Sequence, residues 1–476
     1  MKASTTFLLM SLILAVSAVA APAQTERVVF LDNRQDVVNG SSTYDPATRT
    51  CGQGKYTVFT ELDEAARALD TADTLYVRAG TYSRAPEVRP VNVHGSRVNY
   101  WTGALAVSAS GTPEKRKVVS AYQDETVVIQ AKPGASHYNP EPGDNTFKKS
   151  SHYYPSPAIS IGGAYVDLLG FKTYGQVVIS GHDVTLQQCD LGGGGPHMNQ
   201  GQVVAINSNR RGGVYNVVIR SNRIHHSCWG EGRANASALM CYNASFIVEN
   251  NEFHDNYGAD IRVKDTGGQQ GRDVVIRYNF FGPSRLHPES NTGTGGLNQD
   301  KQIDRILIHH NVFFEKSVGC CTDGDPPRKG MFIYNNTFIN CGRDLWGWTN
   351  AAIHAHNNLF YHSKPRQRFY DVQAKPVSRL QADCNLFFST AGDTHWWNLY
   401  RVRAKDLDAW RRYSDNDRNS VWKPPELVNP SGKRPEDFKR KGKPDDVAGS
   451  THGSVCGAYV TGKEIIGLLP KKRGKQ

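Results

Sequence analysis

The chain has 476 residues, of which 38% are hydrophobic, 10% aromatic and 21% charged, with 45 Gly and 23 Pro. That mixture excludes a coiled coil, a collagen-like chain and wholesale disorder. The formal charge of +11 points to an anionic partner: nucleic acid, an acidic lipid surface or an acidic polymer.

Residues 1–23 read as a signal peptide. Lys2 gives a positive start, Phe7 to Val19 form an apolar run, and Ala18-Val19-Ala20 or Ala21-Pro22-Ala23 supplies a small-residue cleavage site. The run is shorter than the ~20 residues needed to span a bilayer, and no later run is long enough. A secreted chain is expected, extracellular or periplasmic, with no membrane span. In such a chain some of the nine cysteines should form disulfides, and the odd number leaves at least one over. No Cys-x-x-Cys or Cys/His spacing suggests structural zinc.

ELDEAARALD (61–70) places Leu62, Ala65, Ala66 and Leu69 on one face and predicts a short helix, with Thr60 and Asp63 as its capping pair. DTLYVRAGTY (73–82) follows as a strand. From residue 184 one phrase recurs: two or three β-formers, an Asn, one residue, then a large apolar residue. It appears in VVIRSNRI, FIVENNEF, VVIRYNFF, ILIHHNVF, MFIYNNTF, AIHAHNNLF and ADCNLF, marked by Asn222, Asn251, Asn279, Asn311, Asn336, Asn358 and Asn385. VTLQQCDL is an earlier copy with Cys189 in the Asn place. Spacings of 22 to 32 residues with short alternating strands predict a stacked solenoid. The Asn is expected to take the left-handed bend between strands and to bond its counterparts in a ladder. The apolar residue after it is expected to enter the core.

These phrases, the opening helix and strand, SGTPEKRKVVSAYQDETVVI (110–129), DAWRRYSDNDRNSV (408–421) and HGSVCGAY (452–459) resemble the right-handed parallel β-helix proteins of the pectate-lyase-like superfamily. The resemblance covers roughly residues 55 to 460. It implies an all-β solenoid over residues 24–400, capped by the short amino-terminal helix. Residues 401–476 would form an irregular carboxyl-terminal cap and basic tail. It leaves chemistry open, because this fold hosts lyases, hydrolases, epimerases and binding proteins. A nucleic-acid partner finds no motif in its support.

Strand alternation nominates a site. In YGADIRVKDTGG (257–268), Ile261 and Val263 would point inward and Asp260, Arg262 and Lys264 outward. In SALMCYN (237–243), Met240 and Tyr242 would point outward, and in QVVAIN (202–207), Ala205 and Asn207. β-Elimination on a uronic-acid polysaccharide needs a cation on the sugar carboxylate, a base for the adjacent proton and an acid for the leaving oxygen. Lys264 is the candidate base and Arg262 the carboxylate clamp, roles that Lys and Arg also fill in the β-helix lyases this chain resembles. Tyr242 or a loop histidine such as His254 is the candidate acid. Asn207, Asp260, His197, Asp300, Arg343, Trp346 and Trp348 are candidates for binding substrate. His354 and His356 share one strand face at a metal-compatible spacing without an evident third ligand. No metal ligand set is legible. Calcium is a possible cofactor, although the paired acidic residues by which several β-helix lyases hold it have no match here.

The expected partner is a polysaccharide with anionic sugars, acted on by a monomer with a polysaccharide-lyase activity. One rival is a β-helix glycoside hydrolase with paired carboxylates from Asp260, Asp300, Asp323, Asp325 and Asp344. The other is a non-catalytic protein that binds glycans or a cell surface. Residues 401–476 hold 18 basic against 10 acidic residues, so most of the +11 lies in the closing segment and not in the solenoid.

Overall fold

The computed structural model describes residues 26–84, 88–93, 96–101, 103–131, 157–193, 202–207, 214–227, 237–242, 244–264, 273–284, 295–299, 305–322, 330–347, 352–373, 379–392, 396–400, 402–442, 444–448 and 450–470. The signal-peptide segment and the tail from 471 lie outside them.

The fold is a right-handed parallel β-helix. Its strands form three long sheets of 13, 12 and 12 strands, and each successive coil adds one strand to each sheet. One coil illustrates the path. Ala244–Glu249 lies in the first sheet, Glu252–His254 in the second and Ala259–Lys264 in the third. Each strand pairs in parallel with its counterpart one coil later: Phe246 with Val274, Phe253 with Phe281, Ile261 with Leu297. Among the described residues, antiparallel strand pairs are Tyr44–Asp45 with Thr50–Cys51, Val88–Val93 with Ser96–Trp101 and Trp396–Leu399 with Val402–Ala404.

The turn from the first sheet to the second explains the repeat. Each ladder Asn accepts, through Oδ1, both the backbone N–H and the Nδ2–H of the ladder Asn one coil earlier. The bonds run from Asn222 to Asn251 at 2.9 and 3.1 Å, and continue through Asn279, Asn311, Asn336 and Asn358 to Asn385 at 2.9 and 3.1 Å. All seven are fully buried. The expected left-handed conformation falls one residue earlier. Ser221, Asn250, Tyr278, His310, Asn335, Asn357 and Cys384 carry φ of 52–57°. The ladder Asn is thus selected for its amide and not for its tolerance of the bend. The residue before it carries the strain, which the ladder bonds offset. Two positions on, Phe253, Phe281, Phe313, Phe338, Phe360 and Phe387 stack through the core at centroid spacings of 4.5–5.1 Å.

Asn311→Ala should therefore cost about 3 kcal/mol or more, since it removes the acceptor of the buried Asn279 backbone N–H, one of the acceptors of the Asn279 amide and a donor to the Ile276 carbonyl. A urea unfolding midpoint close to that of the wild type would contradict this.

Helix α1, Leu62–Ala68, closes the amino end with Leu62, Ala65 and Ala66 buried. The Thr60–Asp63 capping pair does not form: the N-cap is Glu61, with no side-chain cap bond. The other end is closed by one further helix followed by irregular structure. Helix α2, Leu407–Ser414, begins at Asp406, whose carboxylate accepts from Ala409 N–H. It buries Trp410, whose Nε1–H donates to Asp417 at 2.9 Å. Asp417 and Ser420 terminate the ladder by bonding Asn385.

The closing segment also packs sideways. Leu427, Phe438, Val447, Cys456, Ala458, Tyr459 and Ile466 form a second apolar cluster with Phe280, Val312, Phe314, Ile339 and Leu359 of the second sheet. Asn250, Asn335 and Asn357 tie it down by donating to the carbonyls of Ile465, Val455 and Gly453. The expected disulfides are not found among the described residues. Seven of the eight described cysteines are buried, and Cys228 is not described. Cys241 and Cys320 fill inward core positions in register with Val263 and Leu345, where a thiol serves as a small hydrophobe.

Candidate active site

Two of the three outer faces are spoken for. The second sheet is covered on its later coils by the closing segment. The first sheet carries cross-coil ion pairs that neutralise one another, such as Arg277–Glu249 at 2.7 Å and Arg305–Asp273 at 2.5 Å. The third sheet remains, and it carries most of the candidate residues.

Strand register there is unambiguous. Asn207 aligns with Tyr242 and Tyr242 with Lys264. The alternate row is Ala205, Met240, Arg262, Asn298, Cys321, Trp346, Asp371 and Asn398. Between the two rows, Cys241, Val263, Gln299 and Thr322 face the core and are fully or almost fully buried. Lys264 and Tyr242 are half-buried on adjacent strands, about 4.8 Å apart in backbone spacing. Arg262 is two residues before Lys264 on the same outward side. It is only 3% exposed, so its charge acts from a desolvated position beneath the surface.

Asp260 is placed differently from the expected solvent-facing position. It lies at the corner where the second sheet passes into the third, fully buried, and forms an ion pair with the equally buried Lys316 at 2.5 Å. Asn256 donates to its other oxygen at 3.1 Å, and Lys316 also donates to Ser284 at 2.8 Å. Burial pushes the Asp260 carboxyl above the usual range against the pull of Lys316. A carboxylate so enclosed presents no oxygen to a polymer. Asp344 is likewise fully buried against His362 at 2.8 Å, with its pKa pushed up to about 6 by burial.

His254 is not beside Lys264. It ends a strand of the second sheet, stacks on His225 at 5.1 Å and pairs with Asp255 at 2.9 Å. His225 in turn bonds Asp190 at 2.8 Å. His197, Asp300 and Trp348, with Asp323 and Asp325, lie outside the described residues. His354 stacks on Phe332 at 4.5 Å. Among the described residues no group of three or more His, Cys, Asp or Glu is arranged to hold a metal ion.

Arg343 and Trp346 meet further along the third sheet. The Arg343 guanidinium lies 5.0 Å from the Trp346 ring centroid, and its Nε is 2.9 Å from Asp371. Arg368 reaches the same Asp371 oxygen at 2.5 Å, and Asn398 donates to the other at 2.7 Å. Sequence patterning missed Lys316, Asp371, Arg368 and Asn398. Lys316 reaches Asp260 56 residues back, and Asp371 meets Arg343 and Asn398 on the neighbouring coils, 28 and 27 residues away, so no local pattern displays these contacts; Arg368 joins Asp371 from within the same strand.

No protein-family model matches the chain, and no curated protein matches its sequence. The solved structures similar to it include a pectate lyase, Pel9A, at 12% identity and a TM-score of 0.48, covering 91% of this chain and 96% of that one. A surface adhesin of Streptococcus pneumoniae, PfbA, matches at 14% identity and a TM-score of 0.45, covering 70% of this chain and 86% of that one. An alginate lyase from Paenibacillus matches at 12% identity and a TM-score of 0.37, covering 72% of this chain and 96% of that one. No helix among the described residues is long and apolar enough to cross a membrane.

Proposed function

We propose that this protein is a secreted polysaccharide lyase that cleaves a uronic-acid-containing polymer by β-elimination on the outer face of the third sheet. The observation that supports this reading is the register that aligns Tyr242 with Lys264 and sets Arg262 two residues away on the same side. Arg262 lowers the cost of negative charge building on the sugar carboxylate, a role strengthened by its desolvated position. Lys264 takes the proton from the carbon next to the carboxylate. The electron pair left behind forms the carbon–carbon double bond and expels the glycosidic oxygen on the neighbouring carbon. Tyr242 protonates that oxygen, and both groups then exchange protons with solvent. His254, on another sheet and engaged with His225 and Asp255, leaves the acid role to Tyr242.

The hydrolase alternative is weakened by the burial of Asp260 and Asp344, two of its five candidate carboxylates. The test is to incubate the purified protein with a panel of uronic-acid polymers, with calcium or with a chelator, and follow the ultraviolet absorbance of the unsaturated product. Tyr242→Phe should lower kcat about 10²-fold or more. New reducing ends without unsaturated product would refute the lyase in favour of a hydrolase. Binding without either signal would refute it in favour of a binding protein.

A further inference from the structure

We propose that Arg343 and Trp346 form a second sugar-binding subsite on the third sheet, which takes a uronate unit of the polymer at a distance from the bond that is cut. This rests on the lyase reading for the identity of the polymer, but not for the existence of the subsite.

The placement is set by register. Trp346 lies on the same outward row as Arg262, with Asn298 and Cys321 between them. Three strand spacings separate the two residues by about 14 Å along the solenoid axis. A linear polymer lying over Lys264 along that axis would reach Trp346 several sugar units away.

The chemistry is that of anionic sugar recognition. Two guanidiniums, Arg343 and Arg368, converge on one carboxylate, Asp371. The trio carries a net positive charge, while Asp371, at 1% exposure, is withdrawn from solvent beneath it. Arg343 reaches Asp371 through Nε at 2.9 Å, and its side chain is 38% exposed. Its terminal nitrogens form the fork that matches a carboxylate. The half-buried Trp346 supplies the flat surface beside that fork, with the guanidinium packed over its ring at 5.0 Å. Asp371 and Asn398 act as positioning residues, since Asn398 holds the oxygen of Asp371 that Arg343 and Arg368 leave. The ion-pair network thus fixes a long, flexible side chain in one place before any ligand arrives, which lowers the entropy lost on binding.

The experiment is calorimetric binding of oligouronates of increasing length to the wild type, Arg343→Gln and Trp346→Ala, each in the Lys264→Ala background so that no substrate is consumed. Arg343→Gln leaves Asp371 paired with Arg368, and far-UV circular dichroism checks that each variant is folded. For oligomers long enough to bridge the two positions, each substitution should weaken binding about 10-fold or more, while the shortest oligomers bind as before. The loss for Arg343→Gln should shrink at high salt and be absent with neutral oligosaccharides. Equal affinity of both variants and their parent for long oligouronates would overturn the subsite, even if the wild type proves to be a lyase. Equal losses on neutral and acidic oligomers would overturn its assignment to uronate. Length-dependent losses in a protein that cleaves nothing would uphold the subsite and reject the lyase.

Discussion

Lys316→Ala should destabilise the protein by about 3–5 kcal/mol, the cost of leaving a buried carboxylate without its partner. Lys316 and Asp260 are both fully buried and 2.5 Å apart. Removing the ammonium takes away the ion-pair partner of Asp260 and leaves the Asn256 amide as its hydrogen-bond donor among the described residues. The double variant Asp260→Asn with Lys316→Met should recover much of the loss, because a neutral pair carries no desolvation penalty. Urea denaturation of the two single variants and the double variant measures this directly. Additive losses would contradict a coupled pair. The effect should extend to function, since Asp260 lies on the strand that carries Arg262 and Lys264.

Mild acid should loosen the closing segment. His309 is packed between Tyr334, stacked at 4.8 Å, and Tyr278, with His310 Nδ1 2.9 Å from its own Nδ1. His452 of the closing segment stacks on the same Tyr334 at 4.5 Å. Burial lowers the pKa of His309 to about 3, and burial also lowers those of His310, His356 and His452. Arg277 adds to the lowering at His309 and His310, while Glu464 opposes it at His310 and Asp383 at His356.

The sign follows from linkage. Below the ordinary histidine pKa near 6.5 the unfolded chain binds protons that the folded chain refuses. Stability is therefore complete above pH ~6.5 and falls as pH drops toward 3, by about 1.4 kcal/mol per pH unit for His309 alone. Asp344 acts oppositely. Its raised pKa favours the folded state as pH falls from about 6 to 3.8 and offsets part of the loss. His309→Phe should flatten the pH dependence of the unfolding free energy. Hydrogen-exchange protection factors in the described residues of 446–467, corrected for the intrinsic rate at each pH, should fall at pH 5 in the wild type. An unchanged slope in His309→Phe would show that these rings carry little of the acid sensitivity.

The fold was legible because its energetics are repetitive. The Asn amide and the alternating strand recur in every coil from residue 217 on, and the Phe two positions later from residue 246 on, so Asn251 and Phe253 announce what Asn279 and Phe281 repeat. Helix 61–70 was legible for the same local reason and forms as Leu62–Ala68. Of the candidate site, the alignment of Asn207, Tyr242 and Lys264 follows from strand alternation alone. Three things were hidden. The burial of Asp260 depends on Lys316, 56 residues away. His254 reads as a loop histidine and candidate acid, although it ends a strand of the second sheet, because the passage from second to third sheet has no sequence marker of its own. The closing segment reads as an irregular cap for the end of the solenoid, yet it also covers the second sheet with apolar residues too widely spaced to form a pattern, among them Leu427, Phe438, Tyr459 and Ile466.

Lys264→Ala assayed on the polymer that the wild type cleaves best bears most directly on β-elimination at the third sheet. Unsaturated ends and new reducing ends should appear one for one in the wild type. The variant should lose about 10³-fold in kcat, within the range expected for a lost general base, with its unfolding midpoint unchanged. A folded Lys264→Ala variant that still produces unsaturated ends at the wild-type rate would contradict the assignment of Lys264 as the base.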